Sequence, residues 1–261
     1  MRKIWKILVV AIVIGFCFIA PFNKIQAHAA TAPSIYQKEI SLPLDISTDY
    51  DDTYIHYFAS TPELTSFTDY NGRYNVAYFS EGKLYIRRYS KNLTLQSTLT
   101  IVPKYTNFGN IVCDDNGNYY VCWGTIDYDE QNINVISIPK YNYSGTFLGE
   151  YVLSGYAATP YSPGDYWGTK IPFDAGTCSL AINNGVLACN FAREMYSGHQ
   201  SNYAFYIDCQ TMTKVLLPYP YCSHSFDQEC LATSDGGFLM VNHGDAFTRG
   251  FVVSKISKTS Y

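Results

Sequence analysis

Residues 105–155 decide the fold, and they read YTNFGNIVCDDNGNYYVCWGTIDYDEQNINVISIPKYNYSGTFLGEYVLSG. Turn-forming residues interrupt the apolar runs, first at Asn116-Gly117 and later at Tyr143-Ser144-Gly145. Short runs of strand-forming residues, separated by turn-forming residues, indicate antiparallel hairpins. The segment therefore predicts a four-stranded meander, with one strand ending at Val112-Cys113 and three more at Asn118–Trp123, Ile133–Tyr141 and Phe147–Leu153.

The same pattern recurs on both sides of this segment. Hairpin turns are predicted in four places, at Asn71-Gly72, Asn116-Gly117, Asn184-Gly185 and Asp235-Gly236. Their spacing matches a repeat of about 40–50 residues once Gly155–Phe173 is treated as an insertion. The chain is therefore predicted to consist of four repeated units, near residues 60–102, 105–155, 174–217 and 224–261.

The middle strands of the units indicate how these units pack. Residues 119–123 read YYVCW and are apolar without alternation. A strand with one face in water alternates, whereas a strand covered on both faces does not. Radially stacked sheets cover both faces, so the pattern favours an all-β fold, a β-propeller of four-stranded antiparallel blades, over a sandwich. About four blades are predicted, and the alternative is part of a larger propeller.

The two ends of the chain predict how the propeller closes. The last unit lacks a fourth strand, and residues 38–44 form a strand that has no unit of its own. An open sheet edge invites aggregation, so a lone strand beside an incomplete sheet is expected to pair with it. We expect residues 38–44 to pair with residues 251–256 as the outermost strand of the last blade.

The N-terminal segment has the pattern of a secretory signal peptide. A basic start, MRKIWK, precedes the apolar run Ile7–Ala20, and the small residues of Ala27-His28-Ala29-Ala30 follow. This order matches a cleaved signal, and the apolar run is short for a bilayer span. We therefore expect residues 1–30 to be removed and residues 31–261 to form a secreted propeller domain; the alternative is an uncleaved anchor.

The amino-acid composition limits the kinds of molecule that the protein is expected to bind. The net charge is −4, with 22 acidic and 18 basic residues, which argues against a nucleic-acid partner. Tyrosine accounts for 25 of 261 residues, and tyrosine suits both strands and wet contact surfaces. We expect a glycan or an extracellular protein as partner and no membrane contact after signal cleavage. The oligomeric state stays open.

Seven cysteines follow the signal segment, and this odd number leaves at least one thiol unpaired within the chain. No C-x-x-C or H-x-x-H spacing occurs, so neither a metal site nor a cofactor is predicted. Cys113 and Cys122 are expected to face each other across one hairpin, and Cys178 and Cys189 across another. These pairs are either disulfides or small buried side chains.

Two stretches carry a family resemblance. Asp114–Gly124 resembles the D-x-x-G-N-x-Y-V-x-G blades of bacterial extracellular propeller repeats. Residues 223–228, SHSFDQ, and residues 243–249, HGDAFTR, are similar to secreted propeller proteins of clostridial type. The resemblance implies a surface or secreted location and no particular activity. Thr233–Phe238 departs from the Asp-box of sialidases because its glycine and aromatic stand at other offsets.

The predicted loops gather polar side chains on one rim. In a propeller, the loops between second and third strands and those between blades open on the same face. We expect a ligand-binding rim there because function concentrates in loops at one end of a rigid scaffold. Its candidate residues are Arg193, His199, His224, His243, Asp245, Arg249 and Trp167.

Three functions fit such a rim. Aromatic rings and directional polar groups favour a binding face for glycan or peptide. Alternatively, one of the histidines acts as acid or base in a polysaccharide hydrolase or lyase, with an arginine holding an anionic group. In the third interpretation the histidines only tie blades together, since buried polar groups are usually bonded locally. The sequence assigns no catalytic residue.

Overall fold

A computed structural model describes residues 61, 64–159, 164–174, 176–218, 220–246 and 249–257. This part of the chain is all-β, with sixteen strands in four antiparallel sheets. Within it, no helix is long and apolar enough to cross a bilayer. The predicted signal peptide, residues 1–30, and the predicted closing strand, residues 38–44, lie outside the described residues.

The sheets follow one another along the chain, and each forms from consecutive strands. The first contains β1 (Leu64–Thr68), β2 (Tyr74–Ser80), β3 (Lys83–Tyr89) and β4 (Leu95–Ile101). The second contains β5 (Asn107–Cys113), β6 (Tyr119–Gly124), β7 (Asn134–Tyr141) and β8 (Phe147–Ser154). The third contains β9 (Thr169–Pro172), β10 (Cys178–Asn183), β11 (Val186–Met195), β12 (Gln200–Asp208) and β13 (Thr213–Val215). The fourth contains β14 (Ser225–Ala232), β15 (Phe238–Gly244) and β16 (Gly250–Ile256).

The hairpin turns are of two kinds. Asn184-Gly185 is the predicted two-residue turn, since Asn183 pairs with Val186 and both turn residues have positive φ. The β5–β6 turn is longer, because the backbone N–H of Asp114 donates to the carbonyl of Asn118 at 2.9 Å. The Asp114 carboxylate also accepts the backbone N–H groups of Asn116 and Asn118, at 2.9 and 2.8 Å. Here an aspartate side chain holds the turn closed.

The arrangement of the sheets is that of a four-bladed β-propeller, which confirms the predicted fold class. The innermost strands lie side by side, with β5 against β1 and β10, and β10 against β14. Each sheet extends outward from its innermost strand. Strand β6 is buried along its whole length, as its unbroken apolar run predicts.

Three apolar cores join neighbouring sheets. Trp123 fills the first core, between the first and second sheets, where its ring lies 5.8 Å from Phe79 and 5.5 Å from Phe108. Phe191 and Phe205 belong to the second core, between the second and third sheets. Met240 belongs to the third core, which joins the third sheet to the fourth. Because these cores bury both faces of the second and third sheets, they define the rigid centre of the molecule.

Within the part of the chain that the structure describes, the fourth sheet packs against the third on one side. Gln228, Met240 and Asn242 point toward the third sheet and are buried, and the Asn190 side-chain amide donates to Asn242 at 3.0 Å. The opposite side, which we call the open face, is exposed or half-buried. It carries Asp227, Glu229, Leu231, Leu239, Val241, His243, Phe251, Val253 and Lys255.

One of the two predicted cysteine pairs is wrong. Cys113 pairs with Tyr119, whereas Cys122 pairs with Asn110, so about 10 Å of strand separates the two cysteines. Cys113 and Cys122 are not equidistant from the Asn116-Gly117 pair, since Cys122 lies two residues further along its strand than the position opposite Cys113 in a two-residue turn. The observed Asp114–Asn118 turn places Tyr119 opposite Cys113 and moves Cys122 one residue further away still. Cys178 and Cys189 are neighbours as predicted, with their Sγ atoms 4.0 Å apart. Among the described residues, none of the seven cysteines forms a disulfide.

Candidate functional site

A row of three side chains crosses the open face. Asp227 on β14 pairs with His243 on β15, and His243 pairs with Phe251 on β16. Directly opposed residues place their Cβ atoms about 4.5–5.5 Å apart. The His243 and Phe251 rings lie 5.4 Å apart, and Phe251 is 73% exposed. Among the described residues, neither the Asp227 carboxylate nor the His243 imidazole has a hydrogen-bonding partner, so both are available to a ligand.

This row forms one wall of a cleft of about 460 Å³. Asn110 on the inner strand β5, Thr177 just before the inner strand β10 and Ser179 on β10 contribute to the other walls. Ser179 Oγ donates to Glu229 Oε2 at 3.3 Å and accepts the Cys230 backbone N–H at 2.9 Å. These walls are therefore held in place before a ligand arrives, as preformed binding sites are.

The Thr177–Gln228 contact ties the cleft to the sheet behind it. Thr177 Oγ1 lies 3.0 Å from Gln228 Oε1 and accepts the Gln228 backbone N–H at 2.7 Å. Gln228 itself is buried, and its amide donates to Ser225 Oγ at 2.8 Å. The inner strands of the third and fourth blades are thus connected by side chains as well as by packing, which fixes the shape of the cleft.

A second polar group, the rim cluster, consists of His199, Tyr221, Ser223, His224 and Asp245. The rings of His199 and His224 lie 4.8 Å apart. His199 Nε2 is 2.9 Å from Ser223 Oγ, and His224 Nδ1 is 3.1 Å from Asp245 Oδ1. Burial, with the nearby charges of His224 and Arg193, lowers the pKa of His199, so its imidazole is neutral at pH 7.

The rim cluster and the cleft adjoin each other. Asp245 follows His243 by two residues, and His224 precedes Asp227 by three. At about 3.3 Å per residue, the cluster therefore lies at the strand ends that border the cleft. The structure thus brings together His199, His224 and Asp245 as expected, and it places His243 next to them on the open face.

Arg193 does not lie on the rim surface. Its side chain is 1% exposed, and its guanidinium donates to Ser201 Oγ and to the carbonyls of Ala158 and Trp167. It also lies over the Tyr203 ring at 5.2 Å. The sequence placed Arg193 in a loop, but β11 continues through it, so the side chain points into the blade. In this structure it braces the loops that follow β8.

Trp167 and Arg249 are both exposed, and the pairing of Gly244 with Gly250 places Arg249 opposite Asp245 at the end of the β15–β16 hairpin. Trp167 is 42% exposed and packs edge-on against Tyr166, with ring centroids 4.8 Å apart. Arg249 is exposed just before β16. No ion pair joins it to Asp245 within the described residues, because Asp245 pairs with His224 instead. Whether any of the predicted rim residues binds a ligand stays a prediction.

Sequence reasoning missed Glu229 and Phe251 as cleft residues. Burial alternates along β14 and β16, unlike β6, but the residue types do not, since Gln228 is buried while Phe251 and Val253 are exposed. The sequence therefore offers no hydrophobic alternation from which to find this face. Only the two-residue period of a strand places Asp227 and Glu229 on the same side.

Three buried thiols meet between the second and third blades. Cys122 lies on β6, Cys178 on β10 and Cys189 on β11, and each is at most 2% exposed. The Cys189 Sγ is 3.9 Å from that of Cys122 and 4.0 Å from that of Cys178. Burial raises the pKa of Cys178 and Cys189 well above the ordinary thiol value.

No family model matches this chain, and no curated protein matches its sequence. Among solved structures, a bifunctional GH43-CE protein of Bacteroides eggerthii is similar at 15% identity and a TM-score of 0.42, over 76% of this chain and 25% of that one. An endo-arabinase of Bacteroides thetaiotaomicron is similar at 10% identity and a TM-score of 0.42, over 76% of this chain and 75% of that one.

The Dos1 propeller is similar at 10% identity and a TM-score of 0.42, over 75% of this chain and 48% of that one. This chain thus spans a quarter and about half of the first two structures it matches. At these identities and TM-scores, the activities in the names of these proteins are not assigned to this chain. The assignment of this chain as a propeller rests on its own four sheets.

Proposed function

We propose that this chain is a secreted β-propeller that binds a glycan in the cleft on its open face. The observation that carries the proposal is the row of Asp227, His243 and Phe251, which crosses three adjacent strands on an accessible wall of that cleft. An aromatic ring beside an unpartnered carboxylate and imidazole suits a sugar, because the ring offers an apolar surface and the polar groups bond hydroxyls.

The chemistry of the row fits a sugar ring. The exposed Phe251 ring offers an apolar face on which the C–H side of a sugar can stack. Asp227 accepts hydrogen bonds from hydroxyl groups, and His243 either donates or accepts according to its tautomer. A few convergent polar groups on a preformed concave surface provide orientation, while the ring provides most of the contact area.

A soluble-glycan array tests the proposal. The full chain is expected to show saturable binding to one class of glycan, and His243→Ala is expected to weaken that binding at least tenfold without changing the fold. His224→Ala, outside the cleft, serves as the control for loss of an imidazole nearby. If no glycan binds, or if both variants bind as the unaltered chain does, the cleft is not a glycan site.

Glycoside hydrolysis is the second candidate function. It is favoured by Asp227 and Glu229, two carboxylates on one face of β14 and on the wall of one cleft. Residues two apart in a strand project from the same face, with Cα atoms about 7 Å apart, so both carboxyl groups can approach one bound sugar from the same wall. One carboxyl would act as acid and the other as base.

Product analysis on the same array samples separates the two functions. A hydrolase is expected to release sugar and to lose turnover in Asp227→Asn while keeping affinity, because the amide still bonds hydroxyl groups but transfers no proton. A binding module is expected to release nothing. Product formation that survives in Asp227→Asn would remove the paired-carboxylate mechanism.

Secretion is supported by the basic-apolar-small order of residues 1–30 and by the clostridial-type resemblance of residues 223–228 and 243–249. Expression of the full chain in a Gram-positive host, followed by N-terminal sequencing of the protein in the medium, tests it. A mature N-terminus within a few residues of Ala30 is expected. Protein that stays with the cells and keeps residues 1–30 would favour the anchored alternative.

A further inference from the structure

The three-thiol cluster has the dimensions of a metal site. The Sγ atoms of Cys122, Cys178 and Cys189 all lie within 4.8 Å of one another, and two of the separations are 3.9 and 4.0 Å. An ion about 2.3 Å from each of three coplanar sulfurs requires sulfurs about 4.0 Å apart. The cluster therefore closes around a single ion with only small side-chain movements.

We propose that Cys122, Cys178 and Cys189 form a buried three-sulfur site for a soft, closed-shell metal ion, with Cu(I) as the ion that fits best. Thiolate sulfur selects Cu(I) and zinc over magnesium, calcium and manganese. Each sulfur that binds releases its S–H proton to solvent, and no oxidation is involved.

The number of ligands separates copper from zinc. Structural zinc is almost always held by four ligands in a tetrahedron. Among the described residues, no histidine, aspartate, glutamate or further cysteine joins the three sulfurs. Around them lie apolar side chains, among them Phe191, Leu187 and Ile138. Cu(I) accepts three sulfurs in a plane without a fourth ligand, so the donor set favours it.

The fold holds the site in advance. The three sulfurs come from a middle strand of the second blade and from two strands of the third. Both sheets are rigid at this point, because the largest apolar core surrounds them. Cys178 also belongs to the wall of the cleft of about 460 Å³, so the cluster lies one residue behind the surface of that cleft.

The test uses the full chain, reduced and purified without oxygen. Cu(I) is titrated against a chromophoric Cu(I) chelator, and Zn(II) is titrated in parallel. One Cu(I) per chain is expected, with X-ray absorption showing three sulfur neighbours at about 2.3 Å. Cys189→Ser, which removes the sulfur nearest to both others, is expected to weaken Cu(I) binding by at least about a hundredfold.

Two further variants keep the test decisive. Cys230→Ser replaces a buried cysteine that lies in another core, and it is expected to leave Cu(I) affinity unchanged. Cys178→Ser takes the place of Cys189→Ser if the latter does not fold. Unchanged Cu(I) affinity in the cluster variants would overturn the proposal. So would a disulfide among the three in the protein recovered from the medium, or one tightly bound Zn(II) in the absence of Cu(I) binding.

Discussion

The second and fourth sheets form from the same kind of hairpin but have different surroundings. The second sheet lies between two neighbours, and every residue of its strand β6 is buried. Among the described residues, the fourth sheet has the third as its neighbour on one side. Along β16 the open-face residues are exposed, whereas the residues between them are half-buried or buried. What differs is the chemistry of the uncovered positions, which are polar or aromatic at Asp227, His243 and Phe251.

Stability and the proposed function depend on different parts of this chain: stability on the side chains between sheets, and the proposed function on those of the open face. Side chains between sheets are packed at the density of a protein interior, so their loss leaves cavities. Side chains on the open face contact solvent, so they can change without unfolding the chain. Residues of one chemical type are therefore expected to behave differently in the two environments.

The largest effect is expected from a tryptophan pair. Trp123→Ala removes a side chain that is 0% exposed in the first core and is expected to lower the free energy of unfolding by about 4 kcal/mol. Trp167→Ala, at an exposed position, is expected to change it by less than about 0.5 kcal/mol. Urea denaturation measures both, and similar losses would contradict the division between interior and surface.

A buried and an exposed arginine provide a second test of the difference between interior and surface. Arg193→Met leaves the buried acceptors of Ala158 and Trp167 without their donor and is expected to cost about 3 kcal/mol of stability. Arg249→Ala, at an exposed position, is expected to cost almost nothing. The melting temperatures of both variants check this. If Arg193→Met is neutral while ligand binding falls, the original assignment of Arg193 to the binding rim regains support.

The hairpin aspartates provide a smaller effect. Asp114→Ala removes the carboxylate that closes the β5–β6 turn and is expected to cost about 2 kcal/mol, because charged hydrogen bonds to two backbone N–H groups are lost. Asp115→Ala, at the exposed neighbouring position, is the matched control. Equal melting temperatures for the two variants would show that the turn closes without its side chain.

The smallest effect is a pH dependence at the rim cluster. Burial and the charges of His224 and Arg193 lower the pKa of His199 below 6.5, so the unfolded chain binds a proton more readily than the folded one. Stability is therefore expected to fall as the pH drops below about 6.5. His199→Gln should flatten that slope, whereas an unchanged slope would place the titrating group elsewhere.

The sequence was sufficient for the fold because hairpin turns and buried strands leave local signals. Asn184-Gly185 and the unbroken apolar run of residues 119–123 predicted a turn and a doubly covered strand that the structure confirms. The Cys113–Cys122 pairing was wrong because the two cysteines are not equidistant from the turn, and the register of the β5–β6 hairpin also depends on hydrogen bonds of the Asp114 side chain. Those bonds set the length of the turn, which the Asn116-Gly117 pair alone does not show.

The candidate site was only partly predictable. His199, His224 and Asp245 come from loops that topology alone brings to one end of the propeller. Arg193 was misplaced because the predicted loop is in fact the continuation of β11, where a side chain must point into one face or the other. The three-thiol cluster left no spacing signal, since its members come from three strands of two blades.

The central claim, that the open face is the working surface, is tested most directly by a pair of exposed phenylalanines. Phe251 is 73% exposed on the open face, and Phe147 is 56% exposed at the start of the outer strand β8. Affinity for the glycan found on the array is measured by calorimetry for both alanine variants. Phe251→Ala is expected to bind at least tenfold more weakly, with Phe147→Ala unchanged. Equal affinities in the two variants would contradict the claim.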